Sequence, residues 1–246
     1  MKAAFFIIMI LIFNSPAHAF TLITNGISRG WNETTLSLDV NESSCTALGI
    51  TTTTLYAAID AAIDLWNSAP TSNLKLARGS VVTTTASTNP PTIYCSNAAQ
   101  SDTTAGVGSV STSGGVPVLG SLYLNGDSTK AAFFNKLTST QQQIVVSHEI
   151  GHVLGLGHSE KTYAMMYYNI STKTNLNLSQ DDIDGLTWLN PSDELKSGLM
   201  GCATIQDINS LPPGGGNFGL LLNWAMVLMI AFAASRRRNG LGVFHG

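Results

Sequence analysis

The chain has 246 residues, a formal net charge of −3 and only 11% charged residues. That length suits one domain of ordinary size plus targeting segments. No basic patch or long charge run offers a surface to nucleic acid, and a polar complement dominated by Ser, Thr, Asn and Gly suits an exported, β-rich protein.

Residues 1–19 read as a secretory signal: Lys2 supplies the positive start, Phe5 to Phe13 the apolar core, and Ala17-His18-Ala19 the small-x-small cleavage pattern. The mature chain is then expected to begin at Phe20. The apolar run is too short to span a bilayer. Residues 20–191 form the expected main domain. Leu36 to Val40 alternates apolar and polar, as a half-buried strand does. Leu55, Ala58, Ile59, Ala62, Ile63 and Trp66 then recur at three- and four-residue spacing, which predicts an amphipathic helix over residues 51–68 that Pro70 stops. Leu74 to Ala77 reads as a second strand. Strand, helix, strand implies that the two strands are parallel.

Residues 80–120 are rich in Thr, Ser, Gly and Pro. Ile93-Tyr94-Cys95 is a candidate short strand, and the remainder reads as long connecting loops. Those loops are a candidate holder of Ca2+ through backbone and Asp oxygens, although no spaced acidic run marks a site. Of the three cysteines, Cys45 and Cys95 fall inside the main domain and form the natural disulfide pair, which export permits. Closing a loop of that length contributes about 3–4 kcal/mol by chain entropy, less any strain. Cys202 is left over, as a processing or lipidation site or an unpaired thiol.

Gly120 to Asn125 reads as a strand bounded by Asn125-Gly126-Asp127. A helix is predicted to begin near Ser139, where Ser139 and Gln142 have capping-box spacing, with Ile144, Val145, His148, His152 and Val153 following at helical intervals. Its second half carries His148-Glu149-Ile150-Gly151-His152-Val153-Leu154-Gly155-Leu156-Gly157-His158, which is H-E-x-x-H-x-x-G-x-x-H without departure. Residues four apart share a helix face, so His148 and His152 aim two imidazoles at one point. Gly155 can take a positive φ, end the helix and turn the chain, which returns His158 as a third nitrogen ligand. Three protein nitrogens and one open position are the coordination of a catalytic Zn2+. Glu149 sits beside the first ligand without being one, which suits a general base. The chain has five histidines, and the other two are His18 in the leader and His245 in the extreme tail, so none is left for a second, structural zinc. A last helix is predicted after Ser179, with Asp182 three residues on, an Ile183, Leu186, Leu189 stripe, and Pro191 to close it.

The long histidine string is the metzincin signature. With Ala164-Met165-Met166-Tyr167-Tyr168 after it, the stretch from Gln142 to Tyr168 resembles the matrixin branch of the metzincins. The resemblance spans about residues 30–190 and is strongest over the last third of that range. It implies an α+β fold: a twisted mixed sheet, mostly parallel with one antiparallel edge strand, packed on two or three helices, with the zinc cleft under the edge strand. It aligns Met166 with the Met-turn methionine that packs beneath the metal. Leu122, Tyr123 and Leu124 are the candidate edge strand, on which an extended peptide would pair as an added strand. Tyr168 is a candidate for a role at the transition state or for the pocket wall. A tyrosine at that offset approaches the metal in astacins and serralysins, whereas matrixins commonly place proline there. Two features depart from the animal matrixins: no Pro-Arg-Cys-Gly-type segment precedes the first strand, and their acidic, histidine-bearing loop has no counterpart. The chain therefore looks like a short bacterial relative, in which latency through a cysteine ligand is not expected.

Residues 192–217, with Pro212-Pro213-Gly214-Gly215-Gly216, read as a linker. Residues 218–238 combine an apolar run of spanning length with Arg236-Arg237-Arg238, which orients the main domain outward and leaves 239–246 as a cytoplasmic tail. Glycines, one span and an arginine cluster also resemble bacterial sorting tags that a C-terminal processing peptidase removes. The expected activity is hydrolysis of peptide bonds in a protein or peptide by a zinc-activated water with Glu149 as base, at the cell surface, in the periplasm or outside the cell. Two other readings stand beside it: a non-catalytic, membrane-tethered zinc-binding domain, and a metallohydrolase acting on cell-wall peptides.

Overall fold

The computed structural model describes residues 20–98 and 101–193. One sheet holds five strands: β1 (Thr35–Val40), β2 (Lys75–Val81), β3 (Thr92–Ser96), β4 (Gly106–Ser113) and β5 (Val116–Asn125). Their order is β2-β1-β3-β5-β4. The β1–β2, β1–β3 and β3–β5 pairs are parallel, and β4–β5 is antiparallel. This is a mixed α+β architecture, mostly parallel with one antiparallel edge.

Alternation explains how the strands sit. Leu36, Leu38 and Val40 of β1 are buried, as are Ile93 and Cys95 of β3 and Leu122 and Leu124 of β5. These side chains share the face covered by helices α2 (Thr52–Asn67) and α3 (Ser139–Leu154). Thr51 caps α2 by accepting from the Thr54 amide. The short α1 (Glu42–Thr46) is capped by Asn41, and the Cys45–Cys95 disulfide fastens it to β3. Two indoles hold α3 in place: Trp66 Nε1 donates to Ser147 O at 2.9 Å, and Trp31 Nε1 donates to Val153 O at 3.0 Å. Both bonds are buried, so each fixes the helix against water-free surroundings.

Three expectations are corrected. Residues 80–120 are not mainly loops, because β2 runs on to Val81 and most of the β4–β5 hairpin falls inside them. Gly106-Val107-Gly108-Ser109 lacks the apolar residues that announce a strand, yet it pairs with β5 residue by residue. Gly114 and Gly115 have φ of 57° and 82°, the left-handed pair that a two-residue hairpin turn requires. The second correction follows from the first. Leu122, Tyr123 and Leu124 are not an edge strand: β5 bonds to β3 on one side and β4 on the other. The edge is β4. Third, α3 is capped by Thr138, one residue before Ser139, in a capping box with Gln141 rather than Gln142. Thr138 has the extended backbone that a cap needs, while Ser139 is already helical.

Helix α4 (Gln180–Leu189) begins with the capping box between Ser179 and Asp182. Among the described residues no helix is long and apolar enough to cross a membrane. The expected signal at 1–19, Cys202, the apolar segment at 218–238 and the tail at 239–246 lie outside the described residues, as does the linker beyond residue 193.

Candidate metal centre

Helix α3 presents His148, Glu149 and His152 from buried positions. It ends at Leu154 because Gly155 takes a φ of 109°, and the Gly155 amide donates back to the last turn. The chain then doubles back and brings His158, which is exposed, over the helix. Ligating atoms of the three imidazoles all lie within 4.8 Å of one another. His152 Nε2 and His158 Nε2 are 3.2 Å apart. Among the described residues this is the one group of three or more His, Cys, Asp or Glu side chains placed to share an ion.

Two of the other ring nitrogens are anchored. His148 Nδ1 faces Met165 O at 2.9 Å and His152 Nδ1 faces Leu156 O at 2.8 Å. A carbonyl only accepts, so in both rings Nδ1 carries the proton and Nε2 keeps its lone pair. Burial pushes His148 down to about 3, helped by the neighbouring His152. Burial also lowers His152 and His158. All three rings are therefore neutral at neutral pH, which is the state a metal ligand needs. A set of three neutral imidazole donors, two of them with fixed tautomers, fits zinc.

Glu149 is held differently. Burial pushes its carboxyl up to about 7, opposed by the Gly108 amide, which donates to Oε2 at 2.6 Å. Gly108 lies on the edge strand, and a side chain there would collide with the helix: a Cβ would sit 2.1 Å from Glu149 O. Glu149 and the three histidines line one cleft of about 1020 Å³, whose rim includes residues 103–108 of the edge-strand region.

The other candidates sort clearly. Met166 is 2% exposed and packs on Gly151, where a Cβ would meet its sulfur at 2.2 Å; it therefore lies against the helix between the two histidines. Tyr168 is 65% exposed and lines the cleft, with its ring 6.4 Å from that of His158. Cys45 and Cys95 are joined to each other, and Leu122 and Leu124 belong to the core.

Three contributors escape a reading of the sequence. Gly108 hides in a polar stretch. The N-terminal residues pair with the third-histidine loop: Ile23 N donates to Gly155 O at 3.0 Å, Gly157 N to Thr21 O at 2.9 Å, and Thr21 Oγ1 to His158 O at 2.5 Å. Asp182, recognisable only as a cap, also accepts from the Met165 and Met166 amides at 2.8 and 2.9 Å.

Comparison with known proteins agrees with this geometry. The matrixin (Peptidase M10) family model matches residues 30–190, well over half of the chain. Metalloendoproteinase 1 of Glycine max is 46% identical over 63 residues, covering 25% of this chain and 20% of that protein. Stromelysin-1 of Mus musculus is 47% identical over 53 residues, 20% of this chain and 11% of that protein. Interstitial collagenase of Sus scrofa is 52% identical over 42 residues, 17% of this chain and 9% of that protein. The chain thus spans no more than about a fifth of the length of these relatives. With the histidine cluster, the mixed sheet and a match over residues 30–190, the chain belongs to the matrixin family.

Proposed function

We propose that the protein is a zinc-dependent endopeptidase. The observation that carries this is the convergence of three neutral imidazoles beside a buried carboxylate at one open cleft. His148, His152 and His158 would hold a zinc ion, which when bound would supply Lewis acidity to the scissile carbonyl and to the attacking water. Glu149 takes the proton from that water as its oxygen bonds to the carbonyl carbon. The same carboxyl then delivers the proton to the departing amine as the carbon–nitrogen bond breaks. Gly108 holds Oε2, which leaves Oε1 for this transfer.

The substrate is an extended peptide. Among the described residues strand β4 has a neighbour only on its β5 side, and its Gly106-to-Gly108 stretch borders the cleft. A peptide lying along it would add a strand to the sheet and carry its backbone past the histidines. Met166 forms the floor of the site and Tyr168 its wall. The Cys45–Cys95 disulfide supports an exported location.

Hydrolysis of casein tests this reading. The parent protein should cleave it, a chelator should abolish cleavage, and added zinc should restore it. Chelator-insensitive cleavage, or none by a protein shown to hold one zinc, would rule the proposal out. Muropeptide substrates run in parallel decide whether the cleft prefers cell-wall peptides. Mass spectrometry of the exported product gives both mature termini and so tests the leader and the C-terminal tag.

A further inference from the structure

The carboxylate of Asp182 is 2% exposed and accepts four hydrogen bonds. The capping box of α4 explains only those from Ser179, its amide at 2.8 Å and its hydroxyl at 2.7 Å, both to Oδ2. Met165 N also reaches Oδ2, at 2.8 Å, while Oδ1 receives Met166 N at 2.9 Å. The Met166 N–H and the Met165 C=O belong to one peptide group. On its far side, that carbonyl accepts His148 Nδ1–H at 2.9 Å. Asp182, the peptide and His148 therefore form one line of donors and acceptors, ending at the imidazole whose Nε2 faces the other two rings. Met165 and Met166 are 1% and 2% exposed and His148 is 4% exposed, so water does not interrupt the line.

We infer that Asp182 is a positioning residue for the metal centre, acting on His148 through the Met165–Met166 peptide. The peptide group is resonant, so an anion on its N–H makes its carbonyl oxygen a stronger acceptor. A stronger acceptor holds the Nδ1 proton and the ring angle of His148 more firmly and makes Nε2 a better donor to a metal. This is the arrangement of a carboxylate–histidine–metal triad with a peptide group inserted between acid and imidazole. The Met-turn then has a second task besides packing, because its backbone transmits the charge that its side chains cannot carry.

The inference rests on the reading that the three histidines hold zinc, and the test separates the two. Zinc affinity is measured by chelator competition on the parent, Asp182→Asn and Ser179→Ala. Asparagine keeps the size but removes the charge and points a donor at a donor. Ser179→Ala loses a cap contact and leaves both Met-turn amides bonded. Asp182→Asn should bind zinc about tenfold more weakly, the lower end of the range for a direct outer partner, and Ser179→Ala should bind as the parent does. A second readout needs no variant: NMR of the parent with and without zinc. The Met166 amide proton should move on metal loading far more than that of Ala164, which bonds Lys161 O in the same turn. Equal zinc affinity in Asp182→Asn and the parent, or a Met166 resonance that ignores the metal, overturns the relay. A parent that binds no zinc overturns the metal centre itself, and the relay with it.

Discussion

The amide of Gly108 donates to the carboxylate of Glu149 across 2.6 Å, so the edge of the sheet touches the helix at the acid beside the three histidines. That approach exists because neither Gly106 nor Gly108 has a side chain: a Cβ at Gly108 would also come within 2.9 Å of His152 Cβ, and one at Gly106 would be 3.0 Å from Glu149 Cγ. Gly108→Ala must push β4 away from α3. Backbone shifts of this kind cost about 1–3 kcal/mol, read from the urea midpoint. Displacing the proposed base and the proposed peptide-binding edge together should lower turnover about a hundredfold, the order expected for misplacement by about 1 Å. Parental turnover in Gly108→Ala would show that the contact has no part in the reaction.

Glu149→Gln keeps the shape of the side chain and removes the proposed base. Turnover of a peptide substrate should fall by about 10²–10⁴, while each chain still takes up one zinc. Metal content by mass spectrometry beside a peptide cleavage assay decides it. A variant that loses its metal would assign Glu149 to binding rather than to proton transfer.

Much of this was legible because it is local. The histidine string names its own helix, its bend and its candidate ligands; Ser179 with Asp182, three residues apart, marks the start of α4; Leu36 to Val40 shows its burial by alternation. What stayed hidden depends on partners distant in sequence. Gly106 and Gly108 form a strand only because β5 supplies the pairing and α3 forbids side chains, and neither fact is written in a polar, glycine-rich stretch. Leu122–Leu124 reads as an edge for the same reason: an apolar strand paired on both sides looks like any other until its second neighbour is known. Asp182 is visible as a cap, but its bonds to Met165 and Met166 span 17 and 16 residues and cross from the first turn of α4 to a separate loop.

The Cys45–Cys95 bridge closes a segment of 50 residues that contains α2 and β2. Removing it frees the unfolded chain more than it disturbs the folded one. Replacing both cysteines by alanine should therefore cost about 3–4 kcal/mol in urea unfolding. The zinc site, which neither cysteine lines, should keep its affinity in the protein that remains folded. A loss below about 1 kcal/mol would mean that the bridge does little to restrict the unfolded chain.

Without metal, the buried Glu149 should make stability depend on pH in a recognisable way. Its carboxyl is pushed up to about 7 from 4.5, chiefly by burial. Between those values the folded chain holds a proton that the unfolded chain has released, so this contribution is full below about 4.5 and is lost as pH rises through 7. His148 acts in the opposite sense: its pKa is pushed down to about 3, so it favours folding more as pH rises from about 3 to 6.5. Glu149→Gln keeps the histidines and removes only the acid. In a chelator, the stability of the parent relative to that of Glu149→Gln should fall by on the order of 3 kcal/mol between pH 4 and pH 8. The slope should be steepest from about 5 to 7, with the histidine contribution cancelling in the difference. Urea unfolding of both metal-free proteins across that range measures it. A flat difference would mean that Glu149 keeps an ordinary carboxyl pKa in the folded chain, and that the desolvation argued from its position under β4 does not act.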